Sequence, residues 1–302
     1  MLRNFLFRAT RKVHHLTGKL HAYAQKYLLS NELRARYRAQ GRIPWAAGYV
    51  EERTWFAEHQ FASSDCMVKF TTTQHGFLPL GYGVALDERC IEWPWALANL
   101  GDAARILDAG SALNHPHILS LPLWREKNLH IFSLAPESVC EWQRGISYVY
   151  GDLRKLPYRN EEFDCIVSIS TLEHVGMDNS AFSGKENHKE HSPEDILLVL
   201  AEWRRILKPG GRLLLTVPYG RYEDHGIFQQ FDAALLERCA HHFAPAKRKD
   251  LFFLYSEKGW QVVPQTDCDQ SVYAINPLYG NAAPEHDLAA AARAVACCQW
   301  EL

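Results

Sequence analysis

Three side chains in this sequence could move a proton at a reacting centre. His174 follows the apolar run FDCIVSI in the triplet Leu172-Glu173-His174. An imidazole with an ordinary pKa near ~6.5 can take a proton close to neutrality. His225, in the loop YEDHGIFQQFD, is a second candidate base, and Glu92, in ERCIEWPW, could orient either group. Each has a plainer reading. His174 could simply shape a pocket, and Glu88 or Glu92 could pair with Arg89 beside core tryptophans. A second chemistry resides in RILDAGSALNHP, where a short apolar run ends in Asp108 and gives way to Gly110. With no Cβ, that glycine lets the backbone approach a ligand closely. Asn114 can tolerate a left-handed conformation or cap the helix that Pro116 opens.

These residues need a frame to hold them. Short apolar runs at 105–109, 129–134, 147–150, 163–169 and 212–217 alternate with helical patterns, and further strands are expected at 251–255 and 295–300. Strand-helix alternation predicts a parallel sheet with helices on both faces. Ligands of such sheets bind at the carboxyl ends of the strands, where His174, Gly110 and Asp152 all fall. Ser192-Pro193-Glu194-Asp195 reads as a helix start, and Pro209-Gly210-Gly211 ends that helix near Ile206 or Leu207. Pro94 suits a first turn, which predicts a short helix over 95–100. Gly259 and Trp260 are read as lying between helix and hairpin elements. The polar stretch MDNSAFSGKENHKEH leaves a strand's carboxyl end and is placed to act as a lid. Its His188 and His191 lack the acidic neighbours that a metal site would want, and no metal is expected.

Taken together, RILDAGSALNHP, ISYVYGDLRKLPY, FDCIVSISTLEHVG and EWRRILKPGGRLLLTVPYG resemble the class I S-adenosylmethionine-dependent methyltransferases. The resemblance spans roughly 91–302 and implies a Rossmann-like α/β fold. Its sheet would be seven-stranded and mostly parallel, with an antiparallel last strand and helices on both faces. It implies S-adenosyl-L-methionine as cofactor, held by Asp108, Gly110 and Ser111 in the first turn, Glu137 near the ribose, Asp152 and Leu153 at the adenine, and Ser170. In the family's glycine-rich turn, Ala112 and Asn114 stand here where glycines are usual. Ser133 or Leu134 stands where an acid usually meets the ribose, leaving Glu137 to reach back. Among relatives the texture is similar to bacterial enzymes encoded with surface-glycan biosynthesis. That implies O-methylation of a small polar or glycan acceptor, with His174, His225 and Glu92 as catalytic candidates. A catalytically silent relative that binds or scaffolds, and a methyltransferase acting on protein, lipid or RNA, remain as alternatives.

The chain has 302 residues, is 47% hydrophobic and carries a formal net charge of -2. Charge is uneven: residues 1–42 hold ten Lys/Arg against Glu32 alone, while the remainder is net acidic. Residues 1–42 therefore read as a basic amphipathic helical arm, 43–100 as an aromatic-rich cover, and 101–302 as the methyltransferase-like domain. The arm could lie on an anionic membrane, pack on the body or mediate a homodimer. The body lacks the basic, aromatic-interleaved stripe of a nucleic-acid enzyme. Eight cysteines without a C-x-x-C pair suit free thiols in a reducing compartment. With no run of transmembrane length, the expected location is cytoplasmic, with peripheral attachment at the inner membrane face as an option.

Overall fold

A computed structural model describes residues 28–71, 78–274 and 283–302. Residues 1–27, most of the basic arm, lie outside it. Residues 28–39 are helical (α1) and pack inward. Arg34 and Arg38 both pair with Glu52, and the Tyr37 hydroxyl donates to the carbonyls of Arg42 and Ala85. Three helices follow: α2 (Tyr49–Ala62), α3 (Ser64–Lys69) and α4 (Arg89–Ala98). Among the described residues no helix is long and apolar enough to cross a membrane.

Pro94 lies inside α4 and not in its first turn, so the helix starts six residues before the expected Trp95. Proline there removes the hydrogen bond that the Cys90 carbonyl would receive. The Tyr82 hydroxyl donates to that carbonyl at 2.9 Å instead. The lost bond is replaced from outside the helix.

The sheet contains β1 (Arg105–Ala109), β2 (Asn128–Ser133), β3 (Ser147–Tyr150), β4 (Phe163–Ile169) and β5 (Leu207–Pro218). The short pair β6 (Glu223–Asp224) and β7 (Gln229–Gln230) stands apart from it. Later in the chain come β8 (Lys247–Ser256), β9 (Gly259–Val263) and β10 (Ala294–Glu301). The order is β3-β2-β1-β4-β5-β10-β8-β9. The first five strands are parallel, while β10 runs antiparallel to both β5 and β8. Eight strands stand where seven were expected, because 259–263 pairs with β8 as an edge strand. Its Trp260 is fully buried and donates its indole N–H to the Leu86 carbonyl. β5 likewise begins at Leu207 and not at Arg212. Leu207 pairs with Phe163 and Arg212 with Cys165, so Lys208-Pro209-Gly210-Gly211 bulges between two ladder positions.

Two apolar layers enclose the sheet. On one face Ile106, Val167 and Leu214 meet Trp93, Trp95 and the rest of the cover. On the other, Ile166, Leu213 and Leu215 meet α5 (Ile196–Ile206) and α6 (Ala233–Phe243) through Leu200, Trp203 and Leu236. Burial on both faces explains why these strands read as unbroken apolar runs. Ile166 is fully buried on the central strand. Its replacement by alanine should cost about 2–5 kcal/mol in urea unfolding, with the slope unchanged.

Candidate functional site

The carboxyl ends of β1 to β4 open onto a cavity of about 940 Å³. Its nearest wall is the turn after β1. Gly110 sits at φ +123°, and a Cβ there would fall 2.0 Å from the Thr171 hydroxyl oxygen. No other residue fits that turn. Ser111 follows in the left-handed region at φ +67°. Beneath them Asp108 is fully buried and accepts the Leu113 N–H at 2.8 Å. Burial pushes its carboxyl up to about 7, against the backbone hydrogen bonds from Leu113 and Ala112 and with help from the charge of Glu137. The other oxygen of Asp108 is buried without a partner among the described residues.

Glu137 reaches back to the end of β2. Ser133 Oγ donates to one of its oxygens and Asn114 Nδ2 to the other, each at 2.8 Å. Asn114 is itself oriented by the Tyr148 hydroxyl and the Val139 carbonyl. A carboxylate after β2 is thus fixed from two strands. After β3, Asp152 meets Arg154 through both oxygens. Burial opposes ionisation, yet Arg154 and its backbone N–H hold the Asp152 carboxyl below its ordinary value. The same guanidinium pairs with Glu190 and Asp195. Arg154 therefore ties the polar stretch after β4 across the cavity to the β3 end.

The far wall depends on Glu92, which is fully buried. One of its oxygens accepts Ser170 Oγ and Thr216 Oγ1, both at 2.6 Å, and the other pairs with Arg89. Ser170 adopts φ +40° to make this contact. Arg89 lines the cavity, whereas Glu92 stands behind it. Two neighbouring acids are also buried. Glu88 is pushed up to about 8 by burial, then by Asp87 and Glu92, while Glu173 is raised well above its ordinary value, first by burial. One oxygen of Glu173 has no partner among the described residues.

His174 lines the cavity between the rings of Phe182 and Phe228. Its Nδ1 lies 2.7 Å from the Ile227 carbonyl oxygen. A carbonyl can only accept, so Nδ1 carries the proton and Nε2 keeps its lone pair. Burial lowers the ring's pKa to about 4, and Arg89 adds to this, against the Ile227 hydrogen bond. His174 is neutral at ordinary pH. His225 stacks on the opposite side of Phe228 and stands 3.5 Å from Glu223. It is not among the residues that line the cavity.

Residues 132–215 match the model of a family described as a methyltransferase domain. That segment of the chain is similar to a methyltransferase domain. The matched segment begins inside β2 and ends inside β5, so it holds Glu137, Asp152 and His174 but not the Gly110 turn. No curated protein matches the chain. Among solved structures, the [4+2]-cyclase SpnF is 19% identical over 49% of this chain and 53% of its own, with a TM-score of 0.34. Haemonchus contortus phosphoethanolamine N-methyltransferase 2 is 15% identical over 51% and 36%, TM-score 0.38. Burkholderia thailandensis 1,6-didemethyltoxoflavin-N1-methyltransferase is 15% identical over 83% and 89%, TM-score 0.42. The chain spans about half the length of the first of these and about a third of the second. None of these likenesses bears on the acceptor.

Gly110, Glu137, Asp152, Leu153, Ser170 and His174 share the cavity wall. Asp108, Ser111 and Glu92 support that wall from behind, and His225 stands one ring removed. Arg89 and Arg154 were not picked out as site residues. The spacing Arg89-x-x-Glu92 signalled the ion pair, but nothing local signalled that its guanidinium would reach the cavity. Arg154 joins residues 36 and 41 positions away, which no local pattern reveals.

The buried carboxyl of Asp108 makes a prediction about stability. The native state keeps its proton up to about 7, while the unfolded chain releases it near ~3.9. Stability is therefore fullest below about 4 and declines as pH rises towards 7. His174 acts oppositely, costing stability as pH falls from ~6.5 to about 4. Asp108→Asn keeps an acceptor for Leu113 and removes the first effect alone. Urea midpoints across this window should rise more, or fall less, with pH in the variant than in the wild type.

Proposed function

We propose that this domain transfers a methyl group from S-adenosyl-L-methionine to a hydroxyl oxygen of a small polar acceptor. The observation that carries the reading is the free Nε2 of His174 in the same cavity wall as Glu137 and the Gly110 turn. The residues fit the cofactor. Glu137 is held by one hydrogen bond per oxygen, and each oxygen retains a lone pair for a ribose hydroxyl. Gly110 brings the turn after β1 against Thr171 in the cavity wall, where a Cβ would collide. Arg89, anchored by Glu92 and facing the cavity, suits the cofactor's carboxylate. Leu153 and Asp152 bound the adenine end.

When bound, the cofactor supplies an electrophilic methyl group on a sulfonium. The chain's own residues then align and deprotonate. The Ile227 carbonyl fixes the ring of His174 so that Nε2 accepts a hydrogen bond from the acceptor hydroxyl. As the new carbon–oxygen bond forms, the hydroxyl becomes acidic and its proton passes to Nε2. A ring with a pKa of about 4 is a weak base towards a free alcohol but a sufficient one towards that developing cation. The rings of Phe182 and Phe228 pack against the imidazole. Glycan acceptors remain within this class, since their hydroxyls ask for the same chemistry.

Calorimetry with S-adenosylhomocysteine tests the cofactor assignment. Wild-type protein should bind, and Glu137→Ala should lose about 1.5–3 kcal/mol of affinity. Absence of binding by the wild type would overturn the reading. The base is tested once labelled methyl groups have identified an acceptor in cell extract. His174→Ala should then lower turnover by about 10²–10⁴-fold and leave cofactor affinity intact. Wild-type turnover should hold level as pH falls through 6 and drop only near about 4, where the ring protonates. A fall centred near ~6.5 would place the essential base elsewhere.

A further inference from the structure

The lid, which follows β4, carries one turn whose chemistry methyl transfer leaves unused. Lys185, Asn187 and His188 all line the cavity from the short turn Glu186–His188 and its preceding residue. Their backbone is well fixed. The His188 carbonyl accepts the Asn179 N–H at 2.8 Å, Ser183 Oγ accepts the Lys185 N–H, and Gly184 turns the chain at φ +69°. The side chains are not so engaged. His188 Nδ1 is shielded from solvent without a hydrogen-bond partner among the described residues, while Lys185 and Asn187 are exposed.

The charges around the cavity make this informative. Its lining holds three carboxylates, Glu137, Asp152 and Glu190. Glu137 is held by the neutral donors Ser133 and Asn114, and the other two share the single guanidinium of Arg154 with Asp195. Arg89 is matched by Glu92. Glu186, on the same turn, is not part of the lining, and the neighbouring Lys189 points to Asp178. Lys185 is an exposed cation in the wall with no ion-pair partner among the described residues. Beside it stand an amide and an imidazole, both able to donate to an anion.

We propose that the acceptor carries an anionic group, a phosphate monoester or a carboxylate, bound by Lys185, Asn187 and His188 of the lid. The proposal rests on the methyl-transfer reading only in calling this ligand the acceptor. Anchoring the anion on the lid would leave a hydroxyl elsewhere in the same molecule to face His174 Nε2. It would also draw the lid onto its substrate, since Arg154 already fastens Glu190 of that segment to Asp152.

The test uses full-length protein with S-adenosylhomocysteine present, inorganic phosphate and acetate as separate probes, and chloride at matched ionic strength as control. Binding is read from phosphate line broadening in phosphorus NMR and from saturation transfer to the acetate methyl. At least one probe should bind, and which one binds distinguishes phosphate from carboxylate. The double variant Lys185→Gln/His188→Gln should weaken that probe by at least about tenfold, a loss of about 1.4 kcal/mol. Its affinity for S-adenosylhomocysteine, measured in the same samples, should stay within about twofold, which also shows that it is folded. Equal anion binding by variant and wild type, or no binding beyond the chloride control, overturns the proposal. Anion binding that needs Lys185 and His188 in a protein that ignores S-adenosylhomocysteine would support the anion site and refute methyl transfer.

Discussion

The cavity wall depends on one buried charge. A carboxylate sealed from water must find partners, or its desolvation alone would outweigh the stability of a typical domain. Glu92 finds three of them on three elements: Arg89 on its own helix, Ser170 at the end of β4 and Thr216 within β5. Meeting that requirement brings the cover segment, the strand end and the sheet interior to one point. Ser170, left-handed at φ +40°, and Arg89 of the wall both meet this carboxylate. Trp93, one residue along, donates its indole N–H to the Ala112 carbonyl in the Gly110 turn. The helix before β1 thus clamps both sides of the opening. Removing one partner of such a buried pair leaves the other stranded, at a cost of roughly 3–5 kcal/mol.

The same segment shows how buried acids are either paired or kept neutral. Asp87 pairs with Arg53, Glu92 with Arg89, and burial pushes Glu88 and Glu173 towards their neutral forms. Ionised acids at the lip of the cavity are instead spent on geometry. Asp152 and Glu190 share Arg154, and Glu137 is pinned by two neutral donors. What stays unspent is the lone pair on His174 and the ammonium of Lys185. Those are the two groups that a polar, negatively charged acceptor would use.

Much of this was legible in the sequence because the parallel strands are buried on both faces. FDCIVSI and RLLLTV are predominantly apolar and mark the sheet's centre. Gly110 was expected in a tight turn after the first strand, and it takes a positive φ there in the cavity wall. Glu137 was expected to reach back, but its partner Asn114 was read as a cap or a left-handed residue. The left-handed residue is Ser111, three positions earlier. What escaped was long-range: the hydroxyl of Tyr82 that lets α4 run through Pro94, the edge strand at Gly259–Val263, and the Arg154 junction. Proline reads as a helix start unless something distant replaces its hydrogen bond. A short strand next to a glycine reads as a turn unless its edge partner is known. Contacts across the fold decide both cases, and no window of sequence contains them.

A crystal structure with S-adenosylhomocysteine bound tests the assignment of this cavity most directly. Density should run from the Gly110 turn towards Leu153, with the ribose hydroxyls on Glu137, the carboxylate at Arg89 and the sulfur on the side of His174 Nε2. A ribose placed away from Glu137, or a sulfur that His174 cannot approach, would contradict the roles given to those residues. Occupation of any other part of the molecule would contradict the assignment altogether.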